Sequence, residues 1–213
     1  MSFELVDALY RSRRTILDIL DECGFEVTKY RNISPKEIEA MSVAQATLNM
    51  ILPHKEVDGR SAHVIYHLAR VSRQKLASML HDYIKDYKVT GEVDFVIMLN
   101  DPIGEMHHKA ALEYNMASGA DKTIRNVGMF CIYNLVNNPL KHILVPPHKI
   151  VPAEAHKQLM ESLMISSKGQ LPMIKYHQDM IARCIGLVPG DIVKIERPSQ
   201  STGVYEIYRV CVP

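Results

Sequence analysis

The chain has 213 residues, 47% of them apolar and 23% charged, which are ordinary globular values and enough for one large core or two modest ones. Its 25 lysines and arginines are balanced by 24 aspartates and glutamates, so no global basicity advertises nucleic acid and any contact with a polyanion must be local. The four cysteines, Cys23, Cys131, Cys184 and Cys211, are far apart with no CxxC pair, which argues against a disulfide framework or zinc ribbon and for a reducing compartment.

No signal peptide precedes the first helix, and no apolar run approaches the roughly 18 to 20 residues a bilayer needs. The expectation is a soluble intracellular protein with no membrane partner. In chain order, "FELVDALYRSRRTILDILDECGFEV" places Leu5, Leu9, Ile16, Leu17, Leu20 and Phe25 at helical spacing, with Gly24 as a stop. Arg11, Arg13 and Arg14 read as a solvated face of that helix. "ISPKEIEAM" opens a second helix, with Ser34 as N-cap, Pro35 in the first turn and Glu37 three residues past the cap. It is expected to run to about Met50, followed by a loop at "LPHKEVDGR".

The pattern then alternates. "SAHVIYHLARV" reads as a strand, "SRQKLASMLHDYIKDYK" as a helix and "EVDFVIMLN" as a strongly apolar strand. "DPIGEMHHKAALEYNMAS" reads as a helix with Asp101 as cap, Pro102 at its first position and Gly119 after its end. "NVGMFCIYNLV" reads as a third strand. Such alternation around an apolar central strand implies a small mixed or parallel sheet flanked by helices.

Near Asn137 the character changes. "NNPLKHILVPPHKIVP" holds four prolines and marks a domain boundary. A helix at "AEAHKQLMESLM", a loop at "SSKGQ", a strand at "LPMIKY", a short helix at "QDMIARCIGL" and a terminal hairpin at "PGDIVKIERPSQSTGVYEIYRV" make a small α/β module. In the hairpin, Ile192, Lys194 and Glu196 share one side, and Val193 and Ile195 the other. Lys194 is expected near Glu206 across the pair. The connection is too long for a two-residue turn, and Pro198 cannot donate to the ladder.

Catalytic and metal signals are weak. His63 and His67 lie four apart in a strand, roughly 13 Å apart along it, with no HExxH. GxxxxGK[ST], GxGxxG and GxSxG are absent. Asp18 with Asp21, and Asp82 with Asp86, occupy helix surfaces where solvation is the default. Neither cofactor nor metal is expected. His107 and His108, with Lys109, Lys122 and Arg125, form a local cluster that either approaches a phosphate backbone or is simply exposed. A nuclease-like enzyme would want an acidic pair and a lysine on a metal at the sheet edge, for which Asp94 and Lys88 are the nearest candidates.

One segment carries more than pattern. Leu171–Val210 holds Leu171-Pro172, Ile181-Ala182-Arg183, Gly186-Leu187, Gly190, Val193-Lys194-Ile195, Arg197-Pro198-Ser199, Gly203, Tyr205 and Tyr208-Arg209 in order. It closely resembles the C-terminal assembly module of the fifth subunit of eukaryotic nuclear RNA polymerases, a module that makes up essentially all of the shorter archaeal counterpart. "LVPPHKIVPAEAHKQLM" resembles the segment leading into that module, and "LYRSRRTILDILDECGFEV" resembles, more weakly, the first helix of the family's jaw. Where the family opens its short helix with an acid and proline, this chain has Gln178-Asp179, and Asp179 can still serve the helix start.

The resemblance implies an α+β or α/β chain with an N-terminal jaw domain at 1–140, a helix-flanked small sheet, and a C-terminal assembly domain at 141–213. It implies a non-catalytic subunit of a multisubunit DNA-dependent RNA polymerase, with the largest subunit, other polymerase subunits and downstream double-stranded DNA as partners. Arg183, Arg197, Pro198, Ser199, Tyr205, Tyr208 and Arg209 would belong to the assembly surface. Pro102, His107, His108 and Lys109 would lie near DNA. The site of action would be the nucleus, or a virion or cytoplasmic viral factory if the source is a large DNA virus of eukaryotes. The alternatives are the nuclease-like enzyme and a free-standing transcription adaptor.

Overall fold

The computed structural model describes residues 3–69, 82–83, 92–116 and 124–213. The expected helix at 72–88 lies almost wholly outside them, as do Asp86, Lys88, Gly119 and Lys122. The fold is α+β, in two units, 1–138 and 139–213.

In the first unit, helix α1 (Phe3–Glu22) buries Leu9, Ile16, Leu17 and Leu20 as the spacing predicts. Gly24 ends it at φ 90°, a left-handed conformation that glycine adopts without penalty. Arg13 departs from the solvated reading. It is 3% exposed, its Nη1 donates to the Leu48 carbonyl at 2.7 Å, and its guanidinium lies 5.8 and 5.9 Å from the Tyr30 and Tyr66 rings. Burial pushes the Tyr66 hydroxyl up to about 12.

A short helix, α2 (Thr28–Arg31), leads to α3 (Pro35–Val43), which opens with the anticipated capping box. Ser34 Oγ accepts from the Glu37 N–H at 3.3 Å, and the Glu37 carboxylate accepts from the Ser34 N–H at 2.7 Å. The helix stops at Val43 rather than near Met50. Thr47 Oγ1 donates to the Met41 and Ala44 carbonyls, both at 2.8 Å, satisfying the end of the helix, and a 3-10 turn follows at Gln45–Leu48. Met50 is needed elsewhere: it starts strand β1 (Met50–Pro53), where the sequence suggested a loop.

β1 runs antiparallel to β2 (Arg60–His67), which pairs in parallel with β3 (Glu92–Leu99), itself parallel to β4 (Ile124–Cys131). The central β3 is buried from Val93 to Leu99, the run expected of a strand covered on both faces. Val93, Phe95, Ile97 and Leu99 share a core with Val127 and Met129 of β4 and with Ala110 and Ala111 of helix α4 (Glu105–Met116). β4 gives way at Ile132 to a 3-10 turn (Ile132–Leu135), shorter than the expected strand, and that turn packs on α1.

The second unit has a sheet of order β5-β7-β8-β6, formed by β5 (His148–Val151), β6 (Met173–Lys175), β7 (Ile192–Ser199) and β8 (Gly203–Val212). β5 was not anticipated; it is four residues between prolines, too short for a period to show. Helix α5 (His156–Ser162) follows a 3-10 turn at Ala153–Ala155. Its end turns through Met164, at φ 54° and 95% exposed. Leu159 and Ile165 pack with Leu171, Ile192, Tyr208 and Val210 on one sheet face. Helix α6 (Met180–Cys184) is capped by Asp179, whose Oδ1 accepts from the Ile181 and Ala182 N–H groups at 2.8 and 3.1 Å. Among the described residues, no helix is long and apolar enough to cross a membrane.

Candidate assembly surface and DNA-proximal loop

The β7–β8 hairpin carries most of the singled-out assembly residues. Its register is continuous from Ile192↔Val210 to Ser199↔Gly203, so the strands extend through Arg197-Pro198-Ser199 and the turn is Gln200, Ser201 and Thr202 alone. Gly203, at φ 72°, makes that tight reversal possible. The cross-strand pairs Arg197↔Tyr205 and Pro198↔Val204 form the tip.

Side chains alternate across the pleat, so the assembly residues split between two faces. Pro198, Val204, Glu206 and Tyr208 share one face with Lys194. Arg197, Ser199, Tyr205 and Arg209 share the other with Val193 and Ile195. On the first face, Lys194 Nζ lies 2.6 Å from Glu206 and 3.3 Å from Glu196, and the Tyr208 hydroxyl donates to Glu206 at 3.1 Å. The hydrogen bond to Glu206 raises the Lys194 pKa, and the same bond lowers that of Glu206. Desolvation, aided by Glu206, raises Tyr208. A groove of ≈ 420 Å³ lies beside this network, lined by Ile150, Pro152, Leu159, Lys194 and Tyr208.

The tip is open: Val204 is 62% and Tyr205 56% exposed, and Arg197 and Pro198 are exposed as well. Two members differ in character. Arg209 donates to the Met173 carbonyl at 3.1 Å, tying β8 to β6. Arg183 is half-buried on α6, apart from the hairpin, with Nη2 3.3 Å from Met180 Sδ, and burial lowers its pKa. The sequence reading overlooked Asp191, whose carboxylate accepts from the Val188 N–H at 3.0 Å while its carbonyl accepts from Cys211 at 2.8 Å. An aspartate just after a glycine was the only signal for it.

In the first unit, Pro102 is exposed in the loop after β3, but the helix starts later than Asp101 and Pro102 suggested. Gly104 begins it: its carbonyl accepts from the His107 and His108 N–H groups at 3.0 and 3.4 Å, and His107 Nδ1 accepts from the Gly104 N–H at 3.2 Å. His107 and His108 are half-buried and Lys109 is exposed. Arg125 does not join them. It sits at the amino end of β4, whereas the loop leaves the carboxyl end of the parallel β3, roughly 20 Å along the sheet.

Arg125 instead donates to Asp94 Oδ1 at 3.1 Å, and Arg60 grips Oδ2 through Nε and Nη2 at 3.0 and 2.7 Å. Asp94 is 5% exposed, with both oxygens committed to guanidinium groups. A carboxylate so held does not match the open metal ligand that the nuclease-like reading requires. His63 is likewise a core residue, its ring nitrogens 3.1 Å from Ser61 Oγ and 3.3 Å from the Tyr83 hydroxyl, and burial lowers its pKa. Asp18 and Asp21 are not merely solvated. Arg31 reaches them at 3.1 and 2.6 Å, and Lys55 reaches Asp21 at 2.6 Å, which lowers the Asp21 pKa. No cluster of three or more metal-ligating side chains occurs among the described residues.

Comparison with known proteins bears on this surface. The model of "RNA polymerase Rpb5, C-terminal domain" matches residues 137–211. Over 75 residues the chain is 45% identical to the DNA-directed RNA polymerase subunit Rpo5 of Pyrococcus abyssi, covering 35% of this chain and 89% of that protein. The chain belongs to the RNA polymerase Rpb5 family. Its likeness to eukaryotic members runs the full length. It is 28% identical over 210 residues to subunit rpabc1 of DNA-directed RNA polymerases I, II and III of Dictyostelium discoideum, covering 98% of this chain and 100% of that one. It is 25% identical over 218 residues to RPABC1 of Caenorhabditis elegans, covering 96% and 95%. This Rpb5-family chain therefore has the long, eukaryotic-type organisation, and the C-terminal-domain match at 137–211 falls almost wholly in the unit bearing the hairpin.

Proposed function

We propose that the chain is a non-catalytic subunit of a multisubunit DNA-dependent RNA polymerase, held in place by its C-terminal unit and reaching downstream DNA with its N-terminal unit. The observation that carries the reading is the archaeal match. The 75 residues shared with Rpo5 make up 89% of that protein, and the matching C-terminal-domain model spans residues 137–211, which hold β7 and β8 up to Cys211. We read what the short archaeal and long eukaryotic polymerase subunits have in common as an assembly unit, with the largest subunit as its partner. Arg197, Pro198, Ser199 and Tyr205 at the open tip form the docking contact. Tyr208, Arg209 and Arg183 shape the unit that presents it.

The first unit is the jaw, and Pro102, His107, His108 and Lys109 lie beside the incoming duplex. A loop bearing Asp101 and Glu105 along with Lys109 has little net charge, which suits weak, sequence-independent phosphate contact in an enzyme that must accept every template. The reaction takes place in the nucleus, or in a virion or cytoplasmic factory for a viral source.

Removing residues 139–213 is expected to abolish co-purification with the largest subunit, and retained binding overturns the docking reading. Crosslinking of stalled elongation complexes is expected to map downstream DNA to Asp101–Lys109. Recovery of the chain only outside any polymerase would instead favour a free-standing adaptor.

A further inference from the structure

We propose that the outer edge of β8, from Glu206 to Tyr208, is a strand-addition site taken by an extended segment of the largest polymerase subunit. The proposal rests on the docking reading above and specifies its mode. It starts from the direction of the main chain. The Val210 N–H donates toward β6, to the Pro172 carbonyl at 2.9 Å, whereas the Cys211 N–H donates the other way, to the Asp191 carbonyl at 2.8 Å. The β7–β8 register is unbroken from Val210 to Gly203, so Tyr208 and Glu206 also turn their N–H and C=O groups to the β6 side, whereas the Val204 N–H is taken within the turn by the Thr202 carbonyl at 2.9 Å.

β6 covers only Val210–Val212 of that side. The residue before it is Pro172, which has no N–H, so the ladder cannot continue to the Tyr208 carbonyl. Among the described residues, no strand pairs with the outer side of Glu206 and Tyr208.

Exposed edges are ordinarily blunted by lysine, proline, bulges or shortness. β8 has ten residues and no bulge, and it displays Val204 and Tyr205 at more than half exposure. Its one acid along this stretch, Glu206, is drawn across the sheet to Lys194. An edge left this open is one that something else completes.

The occupant follows from where the unit recurs. The C-terminal-domain model matches residues 137–211, which hold β8 as far as Cys211, and the 75 residues matched to Rpo5 of Pyrococcus abyssi are 89% of that protein, so an N-terminal unit spanning 1–138 cannot be the general occupant. On the docking reading this unit has the largest subunit as its partner, and the segment that completes the edge comes from that chain.

The test is hydrogen exchange at the Glu206 and Tyr208 amides, read at single-residue resolution in the full chain alone and after reassembly with the largest subunit of its own polymerase. Both amides are expected to exchange freely in the isolated chain and to slow by roughly a hundredfold on assembly. A backbone ester at Tyr208, which removes the N–H and keeps the side chain, is expected to weaken assembly about five- to tenfold while leaving the Tm of the free chain unchanged. The same ester at Ile207, whose N–H belongs to the β7 ladder, is expected to lower that Tm. Assembly with unchanged amide exchange overturns strand addition and leaves docking intact. Failure to assemble overturns the docking reading, and this proposal with it. Concentration-dependent protection in the isolated chain assigns the edge to a second copy and also overturns the proposal.

Discussion

Lys194 and Glu206 form their ion pair on a diagonal: Lys194 is registered opposite Tyr208, yet its Nζ lies 2.6 Å from the Glu206 carboxylate two residues away. The Tyr208 hydroxyl closes the triangle at 3.1 Å. Glu206 has its pKa lowered in the folded chain, so its contribution to stability is present above the ordinary glutamate pKa and is lost as pH falls through the lowered value. Glu206→Gln is expected to lower the Tm at neutral pH. The gap from the parent should close progressively below about pH 4.3, the unperturbed glutamate range. Thermal melts at stepped pH check this; a gap independent of pH refutes it.

Arg13 predicts a large effect from a residue type usually found outside. Arg13→Ala removes the hydrogen bond to the Leu48 carbonyl and the cation held against Tyr30 and Tyr66. Unfolding in urea should show a loss of about 2–4 kcal/mol. Arg13→Lys should recover only part, because an ammonium lacks the planar fork that stacks and donates together.

Asp94 neutralises two arginines at once. Asp94→Asn leaves Arg60 and Arg125 partly buried without their shared counter-charge, and a loss of about 2–4 kcal/mol is expected. Arg60→Met should cost less, since Asp94 keeps Arg125. Equilibrium unfolding of both variants orders them, and the reverse order would show that Arg60 packing on Phe25 outweighs the charge.

A stabilising substitution is available at Met164. Its φ of 54° is a conformation that glycine adopts freely and side chains resist, and at 95% exposure the side chain buries almost nothing. Met164→Gly should raise stability by about 0.5–1 kcal/mol, seen as a higher Tm in calorimetry.

At the hairpin tip, Tyr205→Ala and Arg197→Ala are expected to weaken binding to the largest subunit by roughly ten- to a hundredfold each, in keeping with exposed aromatic and arginine anchors. Their far-ultraviolet spectra and Tm should match the parent's. Unimpaired binding in competitive pull-downs would move the contact elsewhere on the unit.

Much of this was legible from residues alone. Long periodic segments declared themselves: the α1 stripe, the Ser34–Glu37 box, the apolar β3 and the Lys194–Glu206 approach all follow from spacing. β1 and β5, at four residues each, carry too little alternation to be seen, and they exist because β2 and β7 supply a ladder for them. The end of α3 was misplaced because a threonine hydroxyl, not a glycine or proline, closes it. Arg13 and the Asp94 pairings were hidden for another reason: each partner lies more than thirty residues away, and only the folded sheet brings them together.

Pro172 has a consequence for how this sheet can change. In most sheets a strand can lengthen or shorten by a residue as sequences drift, and the edge migrates with it. Here β6 has a fixed start, because any other residue at 172 would restore a donor and let β6 creep along β8. One missing proton therefore leaves the Tyr208 carbonyl without a donor among the described residues of its own chain. On the strand-addition proposal, surplus, unassembled copies would carry an open rim, and the solubility of the free chain would follow the supply of its partner.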